Sequence, residues 1–501
     1  MGSANQVFNI CAPITNEQQS VSVEQIVNNM NHAKAEGADT VEVRLDCITS
    51  FHPLLHLKII LQNKPLPVLI ANRKKWDGSL SKGDDSMLLE ALQLALELGA
   101  DFIEVELKEA SCLPTLMEHK RNHNSHGKII VSCYVDDITP PQEELLQLVA
   151  RMQATGSDII KLVTHAADIT ELTRIFSLFP HWPAGEILFS WFVQCGIKMI
   201  FVKKGASNNL QVPLIAYSVG ERGLISQLLC PKFGGFFVYG SLAGNPIPGI
   251  PSLDSLKEAY KLEGVNEDTK VFGLISKPVS HSKGPILHNP SFRHVNYNGI
   301  YVPMFVDDLK EFFSTYSSPD FSGFRFVFTS YLENSHRLLY CSVGIPYKEE
   351  VLRFCDEVHP LAQSIGAVNT IIRRPGDGKL VGYNTDCEAA ITAIEDALIE
   401  HGCNDGGASL GSALAGRLFV VVGAGGAGKA LAFGAKSRGA RLVIFDIDFD
   451  RAKSLACAVS GEAQPYKELV NFEPEKGAIL ANATPIGMHP NTDRIPVAEL
   501  L

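Results

Sequence analysis

Two short segments carry side chains able to move a proton. Lys348 closes Ile345-Pro346-Tyr347-Lys348, and Asp386 closes Gly382-Tyr383-Asn384-Thr385-Asp386. Downstream lies the glycine-rich run Val422-Gly423-Ala424-Gly425-Gly426-Ala427-Gly428-Lys429. An amine and a carboxylate sharing a proton, upstream of a turn suited to a dinucleotide, predict alcohol oxidation with hydride transfer. Hydride leaves the carbinol carbon only if the hydroxyl proton leaves too. A lysine with an ordinary pKa of about 10.4 is a poor base at neutral pH, so a nearby aspartate and desolvation must set how the pair shares its proton.

Those groups need a frame, and the sequence supplies one. Leu418–Val422 is expected as a strand, Ala427–Arg438 as a helix and Arg441–Phe445 as a second strand. Gly423, Gly425 and Gly428 then fall in the strand-to-helix turn, where backbone must approach a pyrophosphate and the helix N-terminus favours its charge. Ahead of this unit a separate βα pattern runs from Val271 to the helix 387–400, and the Gly/Ser-rich stretch 404–416 divides the two. Further upstream, eight short apolar runs alternate with helical patterns from Val7 to about Tyr260. The runs are 9–14, 40–45, 67–71, 102–107, 128–133, 159–163, 212–218 and 235–240, and they predict a (β/α)8 barrel. The expected layout is therefore α/β throughout, with a barrel over 1–264, a substrate-binding domain over 270–400 and a dinucleotide-binding Rossmann domain over 415–501. Three segments fit this layout badly: 181–209, 325–340, and the end of the chain in mid-pattern.

Composition narrows the functional class. A chain of 501 residues exceeds one core, and a net charge of −11 argues against a nucleic-acid binder. No apolar run reaches membrane-spanning length; the longest, 187–202, is broken by Gln194, Gly196 and Lys198. The 11 cysteines lack metal-ligand or disulfide spacing, which predicts reduced thiols and no metal site. Strand-like sequence begins by Val7, leaving no room for a targeting peptide, so a cytoplasmic, monomeric protein with a small-molecule substrate is expected; a plastid address remains open if the N-terminus is trimmed.

These segments are specific enough to carry a resemblance. Residues 271–488 resemble the shikimate dehydrogenase family, and residues 7–260 resemble type I 3-dehydroquinate dehydratase. Their order is similar to the fused plant dehydratase/dehydrogenase family, whose quinate dehydrogenases form part of the same group. The resemblance implies that Lys348 and Asp386 are catalytic, that Ser280 and Ser282 hold the substrate carboxylate, and that Asn369 and Thr385 read the ring hydroxyls. It also implies a cofactor site of Gly423, Ala424, Gly425, Gly426, Ala427, Gly428, Asp446, Asn482 and Thr484.

Three departures from the family pattern shape the expected function. Gly344 stands where shikimate-selective members carry threonine, which removes bulk beside the ring and tilts the site toward quinate. NADP-using members carry Asn-Arg-Thr at the end of the second Rossmann strand, whereas this chain has Asp446-Ile447-Asp448. An acid there suits a free ribose 2′-hydroxyl and two carboxylates repel a phosphate, so NAD is the expected cofactor; NADP stays possible if Arg451 swings in. In the barrel, Lys161 matches the imine-forming lysine, and Glu42, Arg44, Arg73 and Glu106 match other site positions. Yet Tyr134 replaces the proton-shuttling histidine, Gln227 a carboxylate-binding arginine, and Pro246 and Ile250 a closing-loop serine and glutamine. The expected function is an NAD-preferring quinate and/or shikimate dehydrogenase behind an inactive dehydratase barrel. The alternatives are a bifunctional dehydratase/NADP-dependent shikimate dehydrogenase, and a family member inactivated by its odd segments.

Overall fold

The structure is a computed structural model. It describes residues 9–14, 21–72, 85–180, 210–244, 246–247, 249–280, 282–316, 339–374, 377–401, 412–488 and 493–496. Arg73 and most of the segments 181–209 and 325–340 lie outside these residues. The chain forms two compact units, one of residues 1–272 and 282–330, the other of 273–281 and 331–501.

The first unit is built on eight strands: β1 (Asn9–Pro13), β2 (Thr40–Arg44), β3 (Val68–Ala71), β4 (Phe102–Glu106), β5 (Lys128–Ile138), β6 (Ile159–His165), β7 (Leu214–Val219) and β8 (Phe237–Tyr239). Each falls on one of the eight apolar runs. They order as β7-β6-β5-β4-β3-β2-β1-β8, and the Phe236 N–H donates to the Leu214 carbonyl across the remaining seam at 2.9 Å. A barrel buries both faces of every strand, which is why β2 and β3 are buried along their whole length; β3 reads as a continuous apolar run, while β2 carries buried Thr40, Glu42 and Arg44 between its valines. Helices wrap the outside. The helix Val23–Ala35 shows how: Ser22 and Gln25 form a capping box, and Val23, Ile26, Met30 and Ala33 bury a single stripe at helical spacing. The same unit contains β9's first residues and β10 (Gly299–Phe305), against which the helix Gly284–His294 packs.

In the second unit, β9 (Lys270–Ser276) pairs in parallel with β11 (Leu339–Val343). β11 pairs antiparallel with β13 (Thr370–Arg373), β13 antiparallel with β14 (Leu380–Tyr383), and β14 parallel with β12 (Glu357–Val358). A four-stranded parallel sheet follows, in the order β17 (Glu462–Pro465), β16 (Arg441–Asp446), β15 (Leu418–Val422), β18 (Ile479–Asn482). Its central strand β15 is buried at all five positions. One face of the sheet packs on alanine-rich helical surface, including Ala432, Ala435, Ala452 and Ala456. Among the described residues no helix is long and apolar enough to cross a membrane.

Candidate active sites

The hydride-transfer site is assembled at the ends of β11, β14 and β15. Lys348 follows the turn after β11, and its carbonyl accepts the Val368 N–H at 2.7 Å, which fixes its backbone to the strand carrying Asn369. Asp386 is the first residue of the helix Asp386–Glu400, where a carboxylate is favoured by the helix dipole. Asn384, just before it, is buried and holds the turn from both sides: its Nδ2 donates to the Ala367 carbonyl at 3.0 Å, and its Oδ1 accepts the Cys387 N–H at 3.1 Å. The result is a short ion pair, with Lys348 Nζ 2.5 Å from Asp386 Oδ2. Both side chains keep a partial exposure, 20% and 34%, so the pair can reach a ligand and water.

Asn369 and Thr385 complete the group. Asn369 Nδ2 donates to Asp386 Oδ1 at 2.7 Å and to Thr385 Oγ1 at 2.9 Å, while its Oδ1 accepts the Thr385 N–H at 2.9 Å. The aspartate is thus held by one amide and one amine, each on a different oxygen. This fixes the carboxylate plane and leaves Lys348 as the mobile partner.

The glycine turn abuts this pair. A Cβ added at Gly426 would sit 2.8 Å from Lys348 Cβ, so only glycine lets the lysine back onto the turn. The three glycines of the spaced run have separate roles. Gly423 has φ +103°, and a side chain there would meet the Ala483 carbonyl oxygen at 2.9 Å. A Cβ at Gly428 would lie 1.8 Å from the Gly423 oxygen, where helix and strand touch. Gly425, the N-cap of the helix Gly426–Ser437, has nothing nearer than Arg451 at 3.9 Å. That open backbone at a helix N-terminus is the cradle a pyrophosphate requires, so the residues fit a dinucleotide. A cleft of about 520 Å³ runs past it, lined by Lys348, Gly425, Ala427, Asp446 and Thr484 among others. Asn482 shapes the far wall: its Oδ1 accepts the Thr484 N–H at 2.9 Å and hydroxyl at 2.7 Å.

At the end of β16, Asp446 Oδ2 accepts the Ala424 N–H at 2.5 Å and Oδ1 the Asp448 N–H at 2.8 Å. Ile447 is 85% exposed. Asp448 has a role the sequence did not show. Its Oδ1 accepts the Asp450 and Arg451 N–H groups, so it caps the helix Phe449–Val459 while also lining the cleft. Arg451 pairs with Glu349 at 2.7 Å, and Lys429 reaches the same carboxylate at 2.8 Å.

Other expected substrate-contact residues have local partners. A Cβ on Gly344 points at Ser276, 2.5 Å from its Oγ and 2.9 Å from its Cβ. Part of the volume that a threonine at 344 would take is therefore filled by Ser276 of β9, whose hydroxyl donates to the Ile345 carbonyl at 2.9 Å. Ser282 Oγ accepts the Gly284 N–H at 3.1 Å, at the start of the helix Gly284–His294, so its hydroxyl oxygen acts as a helix cap. Ser280 is exposed in the turn after β9. Ser280 and Ser282 belong to different units.

Inside the barrel, Lys161 is 1% exposed. Its Nζ donates to Glu104 at 2.9 Å and Glu42 at 3.2 Å. The Tyr134 hydroxyl donates to Glu104 at 2.6 Å and the Tyr239 hydroxyl to Glu42 at 2.6 Å, with the Tyr239 ring 4.5 Å from the ammonium. Burial alone pulls the lysine pKa down; the Glu104 and Glu42 charges, helped by Tyr134 and Tyr217, outweigh it and leave the pKa well above the ordinary range. Glu106, expected here from sequence, pairs instead with Lys108 at 2.6 Å. Glu104, one pleat earlier on β4, is the carboxylate that meets the lysine. Arg44 is buried and held by Asp46 at 2.5 Å. Gln227 is fully buried, its Nε2 donating to the Gly249 carbonyl at 2.9 Å, and the adjoining Ile250 packs on the barrel core that includes Tyr217 and Tyr239.

Comparison with known proteins matches these two sites to two families. The type I 3-dehydroquinase model matches residues 10–184 and 197–267, and the shikimate dehydrogenase substrate-binding domain model matches 274–329 and 331–371. The chloroplastic bifunctional 3-dehydroquinate dehydratase/shikimate dehydrogenase of Arabidopsis thaliana is 43% identical over 98% of this chain and 73% of its own length. The chain belongs to the bifunctional 3-dehydroquinate dehydratase/shikimate dehydrogenase family. An NADP(+) shikimate dehydrogenase of Pyrococcus furiosus is 35% identical over 46% of this chain and 73% of its own length. The solved dehydroquinate dehydratase and shikimate dehydrogenase of S. pombe AroM is 22% identical, with TM-score 0.38, over 96% of this chain and 83% of that one.

Within this bifunctional family's frame, the residues that sequence reasoning missed are Glu104, Asn384, Ser276 and Glu349. Each is a short polar residue beside a recognised one. The alternation of β4 was the available sign for Glu104, since residues 104 and 106 share a face of the strand. Nothing local marks Glu349 as the partner of two distant cations.

Proposed function

We propose that the second unit oxidises the ring 3-hydroxyl of quinate or shikimate to the 3-dehydro acid, and that NAD is its preferred cofactor. We assign substrate binding to 270–400, the dinucleotide to 415–501, and a dehydratase-type barrel with little turnover to 1–264. The observation that carries the reading is the 2.5 Å Lys348–Asp386 pair backed against Gly426. Lys348 and Asp386 act as one proton relay: the carboxylate holds the amine in place, and the amine takes the proton of the substrate hydroxyl as the hydride leaves. Asn369 and Thr385 orient the ring and keep the carboxylate plane fixed. A bound nicotinamide would take the hydride.

Support for NAD comes from Asp446, whose carboxylate is aimed by two backbone N–H groups at the cleft, and from Ile447, which offers no positive charge. The Arg451–Glu349 pair is 47% and 37% exposed, and such pairs are worth about 1 kcal/mol or less, so recruitment of Arg451 by a 2′-phosphate is cheap. NAD is therefore a preference and not an exclusion. Support for a quiet barrel comes from Lys161: a protonated, doubly paired ammonium has no lone pair with which to attack a ketone.

A second reading, a bifunctional dehydratase/NADP-dependent shikimate dehydrogenase, is favoured by the 43% identity to the Arabidopsis enzyme across the whole chain and by retention of Lys161 with Glu42. Initial rates with quinate and shikimate, each with NAD and NADP, separate the two. Fastest turnover of quinate with NAD supports the first, and of shikimate with NADP the second. Borohydride trapping with 3-dehydroquinate tests the barrel: a reduced adduct on Lys161 would overturn the claim that it is quiet.

A further inference from the structure

The outer wall of the barrel holds a cluster that neither active site uses. Glu97 ends the helix Asp85–Glu97, His119 lies in the last turn of the helix Leu113–Asn122, and His123 is that helix's C-cap. Four residues apart, the two imidazoles share one helix face, with ring centroids 4.2 Å apart. Glu97 Oε1 sits 2.8 Å from His119 Nε2 and 3.6 Å from His123 Nε2. The three donor atoms all lie within 4.8 Å of one another.

Hydrogen bonding within the cluster leaves it short of a positive centre. His123 Nδ1 is 3.0 Å from the His119 carbonyl, which can only accept, so Nδ1 carries a proton and Nε2 is the nitrogen turned to Glu97. At 3.6 Å that Nε2 is too far from the carboxylate to form a hydrogen bond. His119 Nε2 is close to the same oxygen but out of line for a hydrogen bond, and it is buried without a partner among the described residues. Two imidazole nitrogens and one carboxylate form a three-ligand zinc set whose fourth position is open to water. Bonds of about 2.0–2.1 Å at tetrahedral angles put ligand atoms about 3.3 Å apart, and the two measured separations straddle that value.

We propose that Glu97, His119 and His123 bind one transition-metal ion, with Zn2+ the best match to the donors, and that the ion clamps two neighbouring barrel helices. Glu97 and His123 each lie five residues ahead of a strand, β4 and β5, so the site sits at the N-terminal rim. In such barrels that rim carries stability and the opposite rim carries catalysis. The ion is therefore structural, and its histidines must be deprotonated to bind it.

The full chain, stripped with EDTA, is titrated with Zn2+ by calorimetry and with Co2+ by visible absorption, alongside His119→Ala/His123→Ala, Glu97→Gln, and His56→Ala as an unrelated-histidine control. The wild type and the control should bind one more equivalent than the double variant, with affinity falling about tenfold or more in Glu97→Gln. Zn2+ should raise the thermal midpoint of the wild type and leave that of the double variant unchanged. Equal stoichiometry and affinity in wild type and double variant, or no binding by the wild type, overturns the proposal.

Discussion

Replacing Gly344 by threonine should damage this enzyme, and removing Ser276 should repair it. The new Cβ would stand 2.5 Å from Ser276 Oγ and 2.9 Å from its Cβ, with Leu274 Cδ1 at 3.5 Å behind. Rotating the serine hydroxyl relieves the first contact but not the second, because a Cβ moves only with its backbone. Overpacking of that kind costs about 1–3 kcal/mol. Breaking the Ser276 hydroxyl bond to the Ile345 carbonyl adds about 1 kcal/mol. The strands respond by separating, and Lys348 lies only four residues beyond 344. A displacement approaching 1 Å at the amine lowers turnover about 100-fold. Ser276→Gly alone removes one small side chain and a hydrogen bond. Ser276→Gly/Gly344→Thr re-fills the same volume from the other strand. A double-mutant cycle on kcat/KM for quinate and shikimate with NAD should therefore give a coupling of about 1–3 kcal/mol. The double variant should regain rate with its quinate/shikimate ratio unchanged. If Gly344→Thr alone switches preference to shikimate at full rate, with no coupling to Ser276, then 344 faces the ring directly and the packing argument is wrong.

Four further outcomes follow from the geometry. Lys348→Met should lower kcat by about 100- to 10,000-fold with little change in dinucleotide affinity measured by fluorescence quenching; a loss below tenfold removes the proton relay. Ile447→Arg should improve kcat/KM for NADP by about tenfold or more, since one charge-assisted hydrogen bond is worth about 1.5–3 kcal/mol; an unchanged NADP/NAD ratio rejects the cofactor argument. Glu104→Gln should destabilise the barrel by about 3–5 kcal/mol in urea, because it leaves a buried ammonium with one carboxylate instead of two. Lys232, whose amine donates to the Glu267 carbonyl, has its pKa lowered to about 8 by burial, with Lys270 adding to the effect. The unfolded chain binds more protons there between about pH 8 and 10.5, so stability rises with pH across that window by at most roughly 3 kcal/mol; Lys232→Met should abolish the rise, as read from melting midpoints at stepped pH.

What could be read from the chain, and what could not, divides along physical lines. All eight barrel strands were visible as short, largely apolar runs, and Val68–Ala71, apolar throughout with both faces buried, is the clear case. The glycine turn was legible because Gly423, Gly426 and Gly428 are each forced by a contact, down to 1.8 Å at Gly428, and Gly425 leaves its backbone open. Lys348 and Asp386 were legible as chemistry, and their separation was not, since it depends on Asn384 and Asn369 locking two turns 38 residues apart. What stands beside Gly344 was not legible, because a missing side chain says nothing about what fills its place. That required the register of β9 against β11, which pairs Ile275 with Val343 and so brings Ser276 beside the glycine. At Asp448 the charge was visible, and its added role as a cap on the next helix was not.

The two lysines of this chain show why identical residue types give opposite expectations. Lys161 and Lys348 each meet a carboxylate within hydrogen-bonding distance. Lys161 has two of them, two tyrosine rings within 5.5 Å and almost no contact with water. On the proposed reading of a quiet barrel, its charge is compensated and the group acts as an internal strut whose loss is read in stability. Lys348 has one carboxylate, a second oxygen of which is already held by Asn369, and 20% of its side chain stays open to a cleft. An amine that hands on a proton in every cycle needs a partner it can leave and a route outward, and the proposed role of Lys348 rests on its having both. Opening the first would take more than restoring a histidine at Tyr134. Glu104 would still hold the ammonium and Ile250 would still pack against the core. Tyr134→His should therefore leave dehydratase turnover at background in a 3-dehydroquinate assay, and full recovery by that one change would show that the amine was never locked.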